Sequence, residues 1–187
     1  MSDMRPKRLS RDTLYTSDWL DLHRDRVELP SGTILEQYHV LDFPRECVAA
    51  VVENADGDIL LIRIHRYPVD REHWEIPAGR IEDDDDDILG AAAREVLEET
   101  GYWSTDHRRV YTYYPSIGIS NQVFHVVFCK AAGLVGTPDE DEVSFARWAS
   151  PGEVRGLIQS GEMMDGYSLT ALLLWFSDVP REAASSI

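Results

Sequence analysis

Lysine is nearly absent from this chain. Lys7 and Lys130 are the only two, and the other basic residues are arginines. Lys and Arg together number 18 against 34 Asp and Glu, which leaves a formal net charge of −16. A protein that holds DNA, RNA or an anionic membrane by charge needs basic patches, so neither nucleic acid nor membrane is expected as a partner. Cysteine is equally scarce. Cys47 and Cys129 stand alone, without CxxC or His-rich spacing, which argues against a disulfide scaffold or a zinc site. No apolar run approaches the roughly 18 residues of a membrane-spanning helix. The first dozen residues are polar and partly basic with no apolar stretch, so no secretory signal is expected and a cytoplasmic location is. With 187 residues and 43% hydrophobic content, what remains is one main domain with a substantial core and room for a small appendage.

The order of elements follows from periodicity and turn residues. Two alternating stretches, 17–28 and 33–41, flank the turn Leu29-Pro30-Ser31-Gly32 and predict a hairpin. Cys47 to Glu53 is a β-branched apolar run, Asn54 to Gly57 a turn, and Asp58 to Ile64 a second strand. Trp74 to Gly79 reads as a short extended piece ending in a Pro/Gly bend. Ile88 to Thr100 is the clearest helix. Strands are expected at 110–114, 123–129 and 142–148, and helices at 151–159 and 168–176. The fold class is therefore α+β, a mixed sheet covered by helices. Residues 1–45 are expected to form an N-terminal β region and 46–187 the main domain.

The helix carries the chemistry. Ile88, Leu89, Ala92, Ala93, Val96 and Leu97 recur with helical period and predict one apolar stripe. With Glu95 at 0°, Glu98 falls at about −60° and Glu99 at about +40°. Three carboxylates thus share an arc of roughly 100° beside that stripe. Such like charges repel, and a hard divalent cation that takes several oxygens relieves the repulsion. A solvated acidic face is the ordinary alternative, and Arg94 with Glu98 is also a plain i,i+4 pair. The Asp run at 83–87 is not a calcium loop: counted from Asp83, positions six and twelve are Ile88 and Arg94, where Gly and Glu are required.

The whole string Arg94-Glu95-Val96-Leu97-Glu98-Glu99-Thr100-Gly101-Tyr102 resembles the REUxEExGU core of the Nudix hydrolase box, and Gly79 resembles the glycine that opens it. The acidic residue between them falls on Asp85 counted from Gly79 and on Asp86 counted from Arg94, so there is one extra residue and an Asp where the family has Glu. Glu75-Ile76-Pro77-Ala78-Gly79 is similar to the lead-in of the ADP-ribose pyrophosphatase, or nucleoside diphosphate sugar hydrolase, branch. Arg66-Tyr67-Pro68 and Tyr114 to Ser120 are similar to two further segments of that branch. Ile64 stands where a Gln is usual, and Asn121-Gln122 where an acidic pair is.

The resemblance implies a Nudix-type α/β/α sandwich with a mixed sheet, plus the N-terminal antiparallel β-hairpin region. It implies metal-dependent hydrolysis of the pyrophosphate bond of ADP-ribose or a related nucleoside diphosphate sugar to a nucleoside monophosphate and a sugar phosphate. GDP-mannose and other nucleotide sugars, or a non-catalytic ligand-sensing domain, are the alternatives. Glu95, Glu98, Glu99 and the Ala78 carbonyl are expected to hold Mg²⁺ or Mn²⁺, with Arg94 orienting Glu95 or Glu98. Arg66 is expected to clamp phosphate through its planar fork, with Glu75 also at the substrate. Glu140 or Glu142, in the acidic stretch after Gly136-Thr137-Pro138, is expected to be the general base. Phe43, Tyr67 and Tyr114 are candidates for stacking on a base, though aromatics at strand ends more often serve core or interface. His65, His73 and His125 read as structural. The branch implies a homodimer formed through the N-terminal strands.

Overall fold

The computed structural model describes residues 4–138 and 143–177. The chain divides into two compact units, residues 1–46 with 114–123, and residues 47–113 with 124–187.

The first unit is a three-stranded antiparallel sheet, β1 (Lys7–Thr16), β2 (Asp21–Glu28) and β3 (Ile34–Asp42), in that spatial order. β2 and β3 form the expected hairpin, closed where Leu29 N–H donates to the Thr33 carbonyl at 2.9 Å. β1 is an addition to the sequence reading. Its residues are exposed but for Arg11, so it carries no apolar period and is held by its ladder to β2. Arg11 reaches across that ladder with its guanidinium fork, Nε and Nη2 each 2.8 Å from an oxygen of buried Asp25. These hydrogen bonds hold the Asp25 carboxyl below the usual carboxylate range. The stretch 114–123 joins this unit through Asn121. Its Oδ1 accepts the Phe43 N–H at 2.7 Å and its Nδ2 donates to Asp42 at 2.6 Å.

The second unit is built on a seven-stranded mixed sheet. Its main path is β10 (Phe145–Ala149), β5 (Ile59–Arg66), β4 (Cys47–Glu53), β9 (Phe124–Leu134) and β8 (Tyr102–Tyr113). Two short strands lie off the path: β6 (Arg71–Glu75) pairs with β5, and β7 (Ala78–Arg80) with β4. β4 and β9 run parallel, the other pairs antiparallel. The continuous apolar run of β4 now has its reason. Val48, Ala50 and Val52 point to one face and pack with Ala91, Ala92 and Val96 of α1 (Ile88–Thr100). Cys47, Ala49 and Val51 point to the other and pack with Val154 of α2 (Pro151–Ser160) and Ala171 and Leu172 of α3 (Gly166–Phe176). A strand covered on both faces cannot alternate with polar residues. Each such valine contributes about 1.5–3 kcal/mol by leaving water. This is the α/β/α sandwich.

Each helix has a chemical start and stop. Asp87 caps α1 by accepting from Leu89 N–H at 2.9 Å and Gly90 N–H at 2.8 Å. Gly101 ends it in the left-handed region at φ 72°. Ser150 and Glu153 form a capping box on α2. The boundaries of α1 coincide with the periodic stretch in the sequence, and the other elements shift by a few residues or lengthen. β8 begins at Tyr102, well before the apolar piece that announced it. Among the described residues no helix is long and apolar enough to cross a membrane.

Candidate active site

The bend Pro77-Ala78-Gly79 lies between β6 and β7, against α1. β4 fixes it from below: Ala50 N–H donates to the Pro77 carbonyl at 2.8 Å, and Ala78 and Gly79 pair with Ala49 and Val48. From above, Glu99 Oε2 accepts the Ala78 N–H at 2.9 Å. Gly79 is required for room rather than for an unusual φ. A Cβ built there overlaps the Glu95 carboxylate.

The buried face of α1 differs from the apolar stripe read from the sequence. Ala91, Ala92 and Val96 are buried, but so are Glu95, Glu99 and Thr100. Ala93 and Leu97 are only half-buried. The helix is rolled so that two glutamates face the bend while Glu98 stays exposed.

Arg94 ties this group together. Nε and Nη2 hold the two Asp85 oxygens at 2.9 Å each, Nη1 holds Glu95 Oε1 and Glu98 Oε2 at 2.9 Å each, and Nη2 also donates to the Arg80 carbonyl. The Asp85 hydrogen bonds raise the Arg94 pKa further above its ordinary value, and the same bonds lower that of Asp85. The two counts along the acidic run are thereby reconciled: Asp85, not Asp86, meets the arginine. Its part is to anchor Arg94, and only the reach of the side chain could single it out.

The donor set fits a hard divalent cation. Glu95 and Glu99 are 9% and 3% exposed, beside a glycine with no side chain and a backbone segment bent toward them. Carboxylate and carbonyl oxygens are the ligands Mg²⁺ takes. Arg94 and the Ala78 N–H already offset part of the cost of burying these two carboxylates, and a cation adds to that compensation.

Arg66, at the end of β5, is held more tightly than the sequence implied. Its Nε and Nη2 donate to the two oxygens of Glu75 at 2.8 and 2.6 Å, and Nη2 also reaches the Tyr167 hydroxyl. These bonds raise the Arg66 pKa. The fork expected to clamp phosphate is thus engaged by Glu75, which is fully buried. Nη1 takes part in none of these bonds. Tyr67 is 88% exposed at the start of a 3-10 turn, and Tyr114 is half-exposed. His125 is buried against the Thr112 hydroxyl, and His65 is exposed beside Asp70. Glu140 and Glu142 lie outside the described residues. Asp165, which the sequence did not single out, is buried enough that desolvation, reinforced by the Glu75 charge, pushes its carboxyl up to about 7.

A mixed sheet between helices, with a glutamate helix laid against a Pro-Ala-Gly bend, defines a class of hydrolase. The chain belongs to the Nudix family, whose domain pattern matches residues 43–168. A second pattern, the nucleoside diphosphate sugar hydrolase N-terminal domain, matches residues 6–41. The chain is 33% identical over 161 residues to CMP-5'-(N-acetyl-N-hydroxy-3-aminopropyl)phosphonate hydrolase of Streptomyces rubellomurinus, covering 86% of this chain and 77% of that one. It is 26% identical over 175 residues to ADP-ribose pyrophosphatase of Bacillus subtilis, covering 92% and 93%. A crystal structure described as ADP compounds hydrolase superposes with a TM-score of 0.81 over 92% of this chain and 93% of that one, at 19% identity, a likeness of fold.

Proposed function

We propose that this protein hydrolyses the pyrophosphate bond of ADP-ribose or a related nucleoside diphosphate sugar, releasing a nucleoside monophosphate and a sugar phosphate, with Mg²⁺ or Mn²⁺ at Glu95, Glu98, Glu99 and the Ala78 carbonyl. The observation that carries the reading is the Arg94 cluster, which holds Glu95 and Glu98 in register beside the bend. The cation, when bound, supplies charge neutralisation at phosphorus and a more acidic attacking water. The chain's own residues do the rest. Arg94, neutralised by Asp85, fixes two carboxylates without displacing them. Arg66, oriented by Glu75 and Tyr167, offers Nη1 to a phosphate oxygen. Glu75 therefore acts through Arg66. ADP-ribose, GDP-mannose and other nucleotide sugars, incubated with the protein and Mg²⁺, test the reading by product analysis. Nucleoside monophosphate plus sugar phosphate is expected from at least one, and no turnover of any would favour a ligand-sensing role instead. The Streptomyces relative's name favours a second reading, a cytidine nucleotide joined to a phosphonate, and a CMP-phosphonate anhydride belongs in the same panel.

The proton acceptor in this reading is Glu140 or Glu142. The box carboxylates are committed to metal, so a base from elsewhere is needed within about 3 Å of the water, directly or through one more water. Glu140→Gln or Glu142→Gln is expected to lower kcat strongly at nearly constant KM. Less than about tenfold loss in both variants, under about 1.4 kcal/mol, moves the base to Glu95 or Glu82.

The N-terminal unit, residues 1–45 in this division, is the proposed dimerisation region, with 46–187 as the catalytic domain. Leu9, Leu14, Tyr15 and Trp19 are exposed on or beside β1, a concentration of apolar side chains that a second copy would cover. Light scattering at micromolar concentration is expected to give twice the chain mass, and a monomeric mass refutes the assignment. Both cysteines are free and buried. That accords with a reducing compartment, the cytoplasm, which cell fractionation checks.

A further inference from the structure

Among the described residues, one cluster of ligand-capable side chains in the second unit lies outside the α1 glutamates. β6 turns alternate residues to the same face, and His73 and Glu75 are such a pair. They are 4% and 0% exposed. Asp165, the N-cap residue of α3, meets them from the C-terminal part of the chain. One donor atom from each of the three lies within 4.8 Å of the others. Both ring nitrogens of His73 and the Oδ1 atom of Asp165 are buried without a hydrogen-bond partner. His73 Nε2 stands 2.8 Å from Glu75 Oε1, near enough for an ion pair but out of line for a hydrogen bond. A buried imidazole with neither nitrogen hydrogen-bonded, beside two carboxylates, is costly unless something joins them.

We propose that His73, Glu75 and Asp165 form a binding site for a borderline divalent cation of the zinc type, distinct in its ligands from the α1 glutamates. One imidazole nitrogen and two carboxylate oxygens are a donor set that zinc accepts. Two ligands at about 2.0–2.1 Å from one tetrahedral ion are about 3.3 Å apart, so small side-chain shifts close the site. Two of the three ligands are already held by other groups. Asp165 Oδ2 accepts the Ser168 N–H at 2.7 Å, and Glu75 is gripped by Arg66 and Tyr167. Such outer partners fix ligand direction in metal sites. The three side chains line a cavity of about 300 Å³ together with Arg66, Pro68, Val69 and Met164, which gives an ion a way in. The Arg66 charge on Glu75 opposes any cation, so the bond to imidazole must supply the affinity. That selects against Mg²⁺, which keeps oxygen ligands and water.

The test is occupancy, which does not depend on the pyrophosphatase reading. The full chain is dialysed against Zn²⁺ in excess Mg²⁺ as wild type, His73→Gln, Asp165→Asn and Glu98→Gln. Asp165→Asn keeps an oxygen to cap α3, so it is the variant that retains the fold if His73→Gln does not. Loss of one bound zinc, or at least about tenfold weaker binding, is expected in His73→Gln and Asp165→Asn but not in Glu98→Gln. X-ray absorption of the zinc-loaded wild type is expected to show an imidazole nitrogen, absent in His73→Gln. Wild-type stoichiometry and affinity in folded Asp165→Asn, a zinc shell of oxygen alone, or no zinc bound by the wild type each overturns the proposal.

Discussion

Glu98→Gln and Glu99→Gln are each expected to lower kcat by about 10²–10⁴-fold, which corresponds to about 3–5 kcal/mol of transition-state stabilisation, with the fold intact. Gln keeps the shape of the side chain and removes the charge a hard cation needs. The two positions differ in surroundings, which makes the pair informative. Glu98 is exposed and accepts a hydrogen bond from the Arg94 guanidinium at 2.9 Å, an i,i+4 interaction worth only a few tenths of a kcal/mol. Its loss leaves stability almost unchanged. Glu99 is buried and accepts the Ala78 N–H. The amide oxygen of Gln can still accept that bond, so the bend is expected to stay in place. Circular dichroism and the melting temperature separate lost chemistry from lost structure. Near wild-type turnover of the best substrate in Mg²⁺ by both variants would sink the metal assignment.

Gly79→Ala is expected to be as damaging by a different route. The Gly79 backbone is one that alanine can adopt, so no strain arises from φ. The added methyl group instead occupies the space of the Glu95 carboxylate. Glu95 must then swing away, breaking its 2.9 Å contact with Arg94. Alternatively β7 must leave β4, where Gly79 pairs with Val48. Overpacking of this kind costs about 1–3 kcal/mol, which lowers the melting temperature by several degrees. The loss in kcat is expected to exceed about 100-fold, because a displaced carboxylate leaves the donor set incomplete. Gly156→Ala is the control. A Cβ there meets open space in the middle of α2, and alanine favours a helix over glycine by about 1 kcal/mol. Equal activity in Gly79→Ala and Gly156→Ala would mean that Glu95 does not need its position.

Features that arise from local repetition are written into the chain itself. The helix at Ile88–Thr100 is legible to the residue, since its period, its Asp cap and its terminal Gly all act within a few positions. The carboxylate group on α1 is legible for the same reason, Glu95, Glu98 and Glu99 being neighbours on one helix. So are the strands of the sandwich core, because a strand buried on both faces must be apolar throughout.

Features that depend on a partner far along the chain are not. β1 has no apolar pattern and becomes a strand only because β2 offers a ladder. The choice of Asp85 over Asp86 is made by the reach of Arg94. The roll of α1 that buries Glu95 and Glu99 is set by packing on β4 and by the room that Gly79 leaves. The fork of Arg66 goes to Glu75 because β5 and β6 pair as neighbours, and Asp165 meets His73 because the N-terminus of α3 lies against the end of β6, where Ile76 N–H donates to the Ser168 hydroxyl. A side chain's neighbours in sequence fix its local conformation. Which distant charge or donor it meets is fixed by the burial of apolar faces, and that is settled only when the sheet and helices close on one another.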